Sequence, residues 1–232
     1  MSEVDEQEPI TSPQVRQLAV DAGKLVRSIG PLINHLKIPI DARNQTAVAL
    51  FASSLDHGEA LCALIATERS NSGGPALTLH RAQTEQFLRG SFFAEHATDD
   101  EIAYFTRKNQ LKWRDGEKLT TAKIARIVES TFQGCGTSFS NSVQKTWSAL
   151  CGYVHGGTEI LDMYLTEDGN GINSALDVDR ATKIISRGVS MAMMTTVVMS
   201  RLGNAKEPAF TGPFTEAYTE CMRIAAFVKR VT

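Results

Sequence analysis

One stretch of the chain concentrates residues able to handle an anion. It reads Leu77-Thr78-Leu79-His80-Arg81-Ala82-Gln83-Thr84-Glu85-Gln86-Phe87-Leu88-Arg89-Gly90. Arg81, Glu85 and Arg89 stand four residues apart, so on a helix they share an arc of about 80°. Leu77, Leu79, Leu88, Phe92 and Phe93 surround them and mark the helix as mostly buried. Charge on such a helix needs partners, because unpaired buried charge is costly. Two readings stand side by side. The triad is a structural ion-pair ladder, or it is an anion pocket in which two guanidinium forks grip an oxyanion and Glu85 orients them.

A second segment is Trp147-Ser148-Ala149-Leu150-Cys151-Gly152-Tyr153-Val154-His155-Gly156-Gly157. Structurally, the glycines end an apolar helix through a left-handed backbone, and His155 favours the negative end of the helix dipole. Chemically, His155 is a general acid or base beside a pocket. A third feature is the pair Arg89 and His96. Seven residues turn a helix by about 700°, close to two full turns, so both lie on one face. The spacing fits the loose arginine-(four to six residues)-histidine pattern of HEPN-type ribonucleases. Two departures stand against it. Gly90 follows Arg89 where that family usually has a polar residue, and His96 sits at the helix end.

Other chemistries lack their residues. His57 and Glu59 have no further ligands at metal spacing, and no H-E-x-x-H or Cys/His pair occurs. Gly134-Cys135-Gly136 has neither the following lysine nor the preceding strand of a phosphate loop, and no G-x-S-x-G exists. No metal and no cofactor is expected. Met191, Met193, Met194 and Met199 read as core or as an oligomer interface. Cys62, Cys135, Cys151 and Cys221 stand alone and read as free thiols of a reducing cytoplasm.

These residues must be positioned by helices. Residues 1–11 read as a polar, mobile arm. Ser12-Pro13 starts a first helix, Gly30-Pro31 interrupts it and Pro39 ends it. Asp41 caps a second helix reaching about residue 68. A third spans about 75–95, and Thr98 to Glu101 form a capping box for a fourth running to Trp113. A shorter helix spans 119–132, and Ser140 caps one through Cys151. Two more follow at about 177–202 and 213–229. Strand patterns are almost absent, so the fold class is all-α: a single-domain bundle of about seven to nine helices over residues 12–232.

Bulk properties agree. The chain has 232 residues, with 24 basic and 26 acidic side chains, a formal charge of −2, 42% apolar and 22% charged residues. These are globular values; they exclude a collagen, a disordered tail protein and a supercharged nucleic-acid coat. Near-neutral charge argues against tight nonspecific duplex binding, though not against a local basic pocket. No run of about 18 apolar residues occurs, so no membrane span is expected. The acidic opening MSEVDEQEP is unlike a secretory signal, which supports a cytoplasmic setting.

The order of motifs resembles a family of uncharacterised bacterial helical proteins. The resemblance covers about residues 45–165. It rests on Leu55-Asp56-His57, the following glycine-rich loop, the Arg81, Glu85 and Arg89-Gly90 helix, and Tyr153-Val154-His155-Gly156-Gly157. It implies that Arg81, Glu85, Arg89 and His155 belong to one site, with Tyr153 on the substrate side. A remoter likeness is to HEPN-like helical domains. It implies a metal-independent ribonuclease of a toxin or defence system. Arg89 would hold the scissile phosphate and Arg81 would neutralise charge. His155 or His96 would move the proton. The alternative is a noncatalytic module that binds a small anionic ligand or a partner protein through Arg81, Glu85 and Arg89. A third reading gives that face a structural role and places function in assembly. RNA or a small anion, and a second copy in a homodimer, are the partners these readings imply.

Overall fold

The computed structural model describes residues 12–67, 73–113, 116–132, 138–165, 171, 176–203, 205 and 208–229. The expected N-terminal arm and Cys135 lie outside them. Among the described residues there are nine helices and no strand beyond isolated bridges, an all-α bundle. They are α1 (Ser12–Asn34), α2 (Ala42–Ala66), α3 (Gly73–Glu95), α4 (Asp99–Lys108), α5 (Thr121–Glu129), α6 (Ser138–His155), α7 (Thr158–Tyr164), α8 (Val178–Leu202) and α9 (Pro208–Lys229).

Local chemistry sets most of the ends. Asp41 accepts from the Asn44 N–H at 2.8 Å and starts α2. Thr98 and Glu101 exchange both bonds of the expected capping box. Arg43 of α2 closes the far end of α3 by donating to the Phe93 and Ala97 carbonyls at 3.1 and 2.6 Å.

Several boundaries differ from the sequence reading; α9, for one, begins at Pro208 rather than near 213 and carries Pro213 inside it. The first helix passes through Gly30 and Pro31. Pro31 is exposed and falls in the last turn, so the one i→i−4 hydrogen bond that its missing N–H forfeits is lost beside the helix end, with only three helical residues beyond it. α4 stops at Asn109, whose backbone is left-handed with φ 50°. The chain then folds back so that Trp113 N–H donates to the Glu117 carbonyl at 2.8 Å, rather than continuing as helix to Trp113. Ser140 lies inside α6 instead of capping it, donating its N–H and hydroxyl to Glu129 of α5 at 3.0 and 2.7 Å. The short α7 follows Gly157 directly.

α2 and α3 pack side by side at the centre, flanked by α1 and α8; α9 covers α1 and α8, and α6 runs along α3. α2 is long and apolar enough to cross a membrane by length and composition alone, but here it packs against α1, α3 and α8. The core has two apolar parts. One gathers Val26, Leu61, Leu77, Ile185 and Ile224; the other gathers Phe51, Phe87, Phe92, Val128 and Met199. Met191, Met193 and Met199 are buried and Met194 is half-buried, so this α8 cluster packs into the core. Cys62 is a buried free thiol whose pKa burial, with the Glu59 charge second, pushes up to about 12.

A polar waist separates the two apolar parts. Ser54, His80, Gln83 and Thr84 are each 2% exposed or less. The Ser54 hydroxyl donates to the Gln83 carbonyl, and the Gln83 amide donates to the Gly188 carbonyl, both at 3.0 Å. Gly58 makes room for that amide: a methyl there would sit 2.5 Å from the Gln83 nitrogen. Three helices thus cross around one glutamine, and the candidate site opens from this level.

Candidate functional site

Successive turns of α3 carry the charged triad. Glu85 lies between the two arginines and pairs with both, through Arg81 Nη1 at 3.3 Å and through Arg89 Nη2. The three side chains are 20%, 24% and 32% exposed in the order Arg81, Glu85, Arg89, so the ladder is neither buried nor freely solvated. Two cations share one carboxylate, which leaves one positive charge. The Arg81 guanidinium also stacks over Trp147 of α6, 5.1 Å from the ring centre. Its Nε is buried without a hydrogen-bond partner. That is an open donor on a desolvated cation, a feature that favours an incoming acceptor.

The other sequence-singled residues lie elsewhere. α3 and α6 run antiparallel: Phe87 packs on Phe139 at 6.0 Å and Arg81 on Trp147. From that level Arg89 lies eight residues one way along α3, and His155 lies eight residues the other way along α6. At 1.5 Å per residue the two are about 24 Å apart along the helix axes. His155 is exposed at the α6 terminus. Gly156 there has φ +74°, and the Gly157 N–H donates to the Gly152 carbonyl at 2.8 Å, which closes the helix. Tyr153 is half-buried against the first apolar cluster. His96 Nε2 meets the Thr131 hydroxyl at 2.8 Å, while Arg201 reaches Glu95 and the Thr131 carbonyl beside it, each at 3.0 Å. Arg81, Glu85 and Arg89 therefore come together, and Tyr153, His155 and His96 do not join them.

Sequence reasoning missed a second group behind α3. A chamber of about 110 Å³ lies between α3, α6 and α8, and His80, Thr84, Ser142, Thr146, Arg187 and Met191 are among its lining residues. His80 Nδ1 has no hydrogen-bond partner. Burial first, and the Arg187 charge second, lower the His80 pKa from 6.5 to about 4, so the ring is neutral at pH 7. Arg187 is half-buried and, among the described residues, has neither a hydrogen bond nor a carboxylate at ion-pair distance. The available signal was Ser186-Arg187-Gly188 in the middle of α8, a cation flanked by small residues at the start of an apolar run. His57 bonds its own helix, Nδ1 to the Ser53 carbonyl at 2.5 Å, and no metal-ligand cluster occurs among the described residues.

The chain matches the model of a family of unknown function, DUF6988, over residues 51–224, and so belongs to that family. No curated protein and no solved structure matches it. The matched span includes the triad, Trp147 and the chamber.

Proposed function

We propose that this member of DUF6988 is a noncatalytic helical module that binds a small anionic ligand on the α3 face carrying Arg81 and Arg89. The observation that carries the reading is the shared carboxylate. One glutamate serves two half-buried arginines, and Arg81 keeps an unsatisfied Nε while held over Trp147. An oxyanion would satisfy that donor and balance the remaining charge. A metal-independent ribonuclease also needs a proton-transfer group within hydrogen-bond reach of the phosphate site. With His155 some 24 Å from Arg89 along the axes, and His96 engaged at Thr131, the binding reading has the stronger support.

Thermal shift and calorimetry with inorganic phosphate, citrate and a nucleoside monophosphate test it. A saturable stabilisation is expected, weakening with salt and falling at least tenfold in Arg81→Gln and in Arg89→Gln. No stabilisation by any of these anions would overturn the proposal. So would chelator-resistant cleavage of RNA that disappears in Arg89→Ala together with His155→Ala or His96→Ala. Glu85→Gln gives a sharper expectation. Removing the only carboxylate from the ladder should tighten anion binding about three- to tenfold, or ~0.6–1.4 kcal/mol. The same change should cost about 1–2 kcal/mol of stability, less than for a fully buried pair because the side chains keep some solvent. Urea unfolding and calorimetry on this one variant read both effects.

A further inference from the structure

We infer that the chamber between α3, α6 and α8 is a second binding site, one that takes a small organic monoanion with its carboxylate on Arg187. The chamber is distinct from the outer face. His80 and Arg81 are neighbours in sequence but lie about 100° apart around α3. His80 lines the chamber, whereas Arg81 stacks on Trp147.

Three observations point to a ligand. His80 is 2% exposed and lines the chamber, and its Nδ1 has no partner at good hydrogen-bond geometry, the Gln83 side chain making only a looser contact with the ring. A buried polar atom of this kind ordinarily has a partner. Arg187 also lines the chamber and has no carboxylate or hydrogen bond among the described residues. A guanidinium drawn partly out of water without a counter-charge is a cost that a bound anion removes. The space itself is the third. At about 30 Å³ per water in the liquid, roughly 110 Å³ has room for about four waters or for a compact organic acid.

The lining chooses among anions. Three hydroxyls have spent their protons on the preceding turn. Thr84 donates to the His80 carbonyl at 2.8 Å, Thr146 to the Ser142 carbonyl at 3.0 Å and Ser190 to the Ser186 carbonyl at 2.8 Å. Their oxygens keep acceptor capacity only, which suits a ligand donor and works against a dianion. One arginine beside a neutral imidazole supplies a single positive charge, which matches a carboxylate and undercompensates a phosphate dianion. Phe139, Val143, Met191 and Met194 form an apolar wall. The occupant is therefore a compact carboxylic acid with an apolar body, its carboxylate on Arg187 and a polar substituent within reach of His80.

Methionine-methyl NMR on the full chain reads the chamber directly, because Met191 and Met194 line it. Titration with isobutyrate, benzoate and 4-hydroxybenzoate should shift these two methyls saturably, with at least one dissociation constant below about 5 mM. The affinity should fall at least tenfold in Arg187→Met and stay within twofold in Arg89→Gln. A second variant, Ser142→Leu, fills the chamber from α6 and should abolish the shifts without removing a charge. Folding of both variants is checked by circular dichroism. No saturable shift at Met191 and Met194 in the wild type would overturn the site. Binding that survives both Arg187→Met and Ser142→Leu would also overturn it. Inorganic phosphate shifting the two methyls more tightly than every carboxylate would overturn the ligand class. Loss of binding in Arg89→Gln with retention in Arg187→Met would place carboxylates on the outer face, supporting the α3-face proposal and sinking this one.

Discussion

Gly90→Val is expected to destabilise the protein by about 3 kcal/mol or more, a large effect for one buried position. A side chain at Gly90 would begin 2.8 Å from one Phe51 ring carbon and 2.9 Å from the next. The ring cannot step aside. Phe51 is fully buried and its neighbour Phe87, at 6.4 Å, is fully buried and packed in turn on Phe132 and Phe139. The helix-propensity gain of about 0.5 kcal/mol on leaving glycine is small beside the overlap. Phe51→Ala alone should cost about 3–5 kcal/mol through the cavity it leaves. The double variant opens the space that the introduced valine side chain needs, so its loss should fall short of the sum of the singles by at least about 1 kcal/mol. Urea unfolding of the four proteins measures the coupling. Simple additivity would mean that Gly90 is required for some reason other than the ring laid over it.

This packing bears on the Arg89-Gly90 pair, which drew attention in the sequence as a motif. The glycine is explained by α2 lying close to α3, so it says nothing about ligand chemistry at Arg89. The same holds at Gly156 and Gly157, which turn the chain from α6 into α7. A methyl at Gly157 would lie 2.6 Å from a Glu159 carboxylate oxygen. What identifies the candidate site is the balance of charge on α3 and α8, where two arginines share one glutamate and a third has none.

The helices were legible because their signals are local. Asp41 and the Thr98/Glu101 box act within one turn, and the apolar spacing of α1 and α8 repeats along their lengths. The errors arose where a distant contact decides a local matter. Ser140 has the right type for a cap, but Glu129 of another helix claims it. The triad was also legible, since i, i+4 spacing is written in the chain. Its environment was not. Nothing near Arg81 in sequence announces Trp147, and Gln83 meets Gly188 across 105 residues. The chamber is a product of three helices, so its members carry no shared sequence pattern. Mid-helix glycines at 58 and 188 were the nearest clue, each marking a place where α3 comes close.

The second large effect concerns acid. His80 has a folded-state pKa of about 4 against 6.5 for an unperturbed histidine. Between those values the unfolded chain binds a proton that the folded chain refuses, so stability falls as the pH drops. The full stability is present above about pH 6.5, and the loss is complete near pH 4. A shift of this size corresponds to about 3 kcal/mol. Carboxylates titrate in the same range, so the comparison that isolates the histidine is with His80→Gln, which keeps a polar side chain of similar size but cannot titrate. From pH 7 to pH 4 the wild type should lose about 3 kcal/mol more than this variant in urea unfolding. Arg187→Met should recover part of the difference, because the Arg187 charge is the second cause of the shift, after burial. Parallel acid limbs for wild type and His80→Gln would mean that water reaches the imidazole and that the chamber is open to protons as well as to ligand. A steeper wild-type limb that Arg187→Met leaves unchanged would assign the shift to burial alone and weaken the electrostatic link between the two chamber residues.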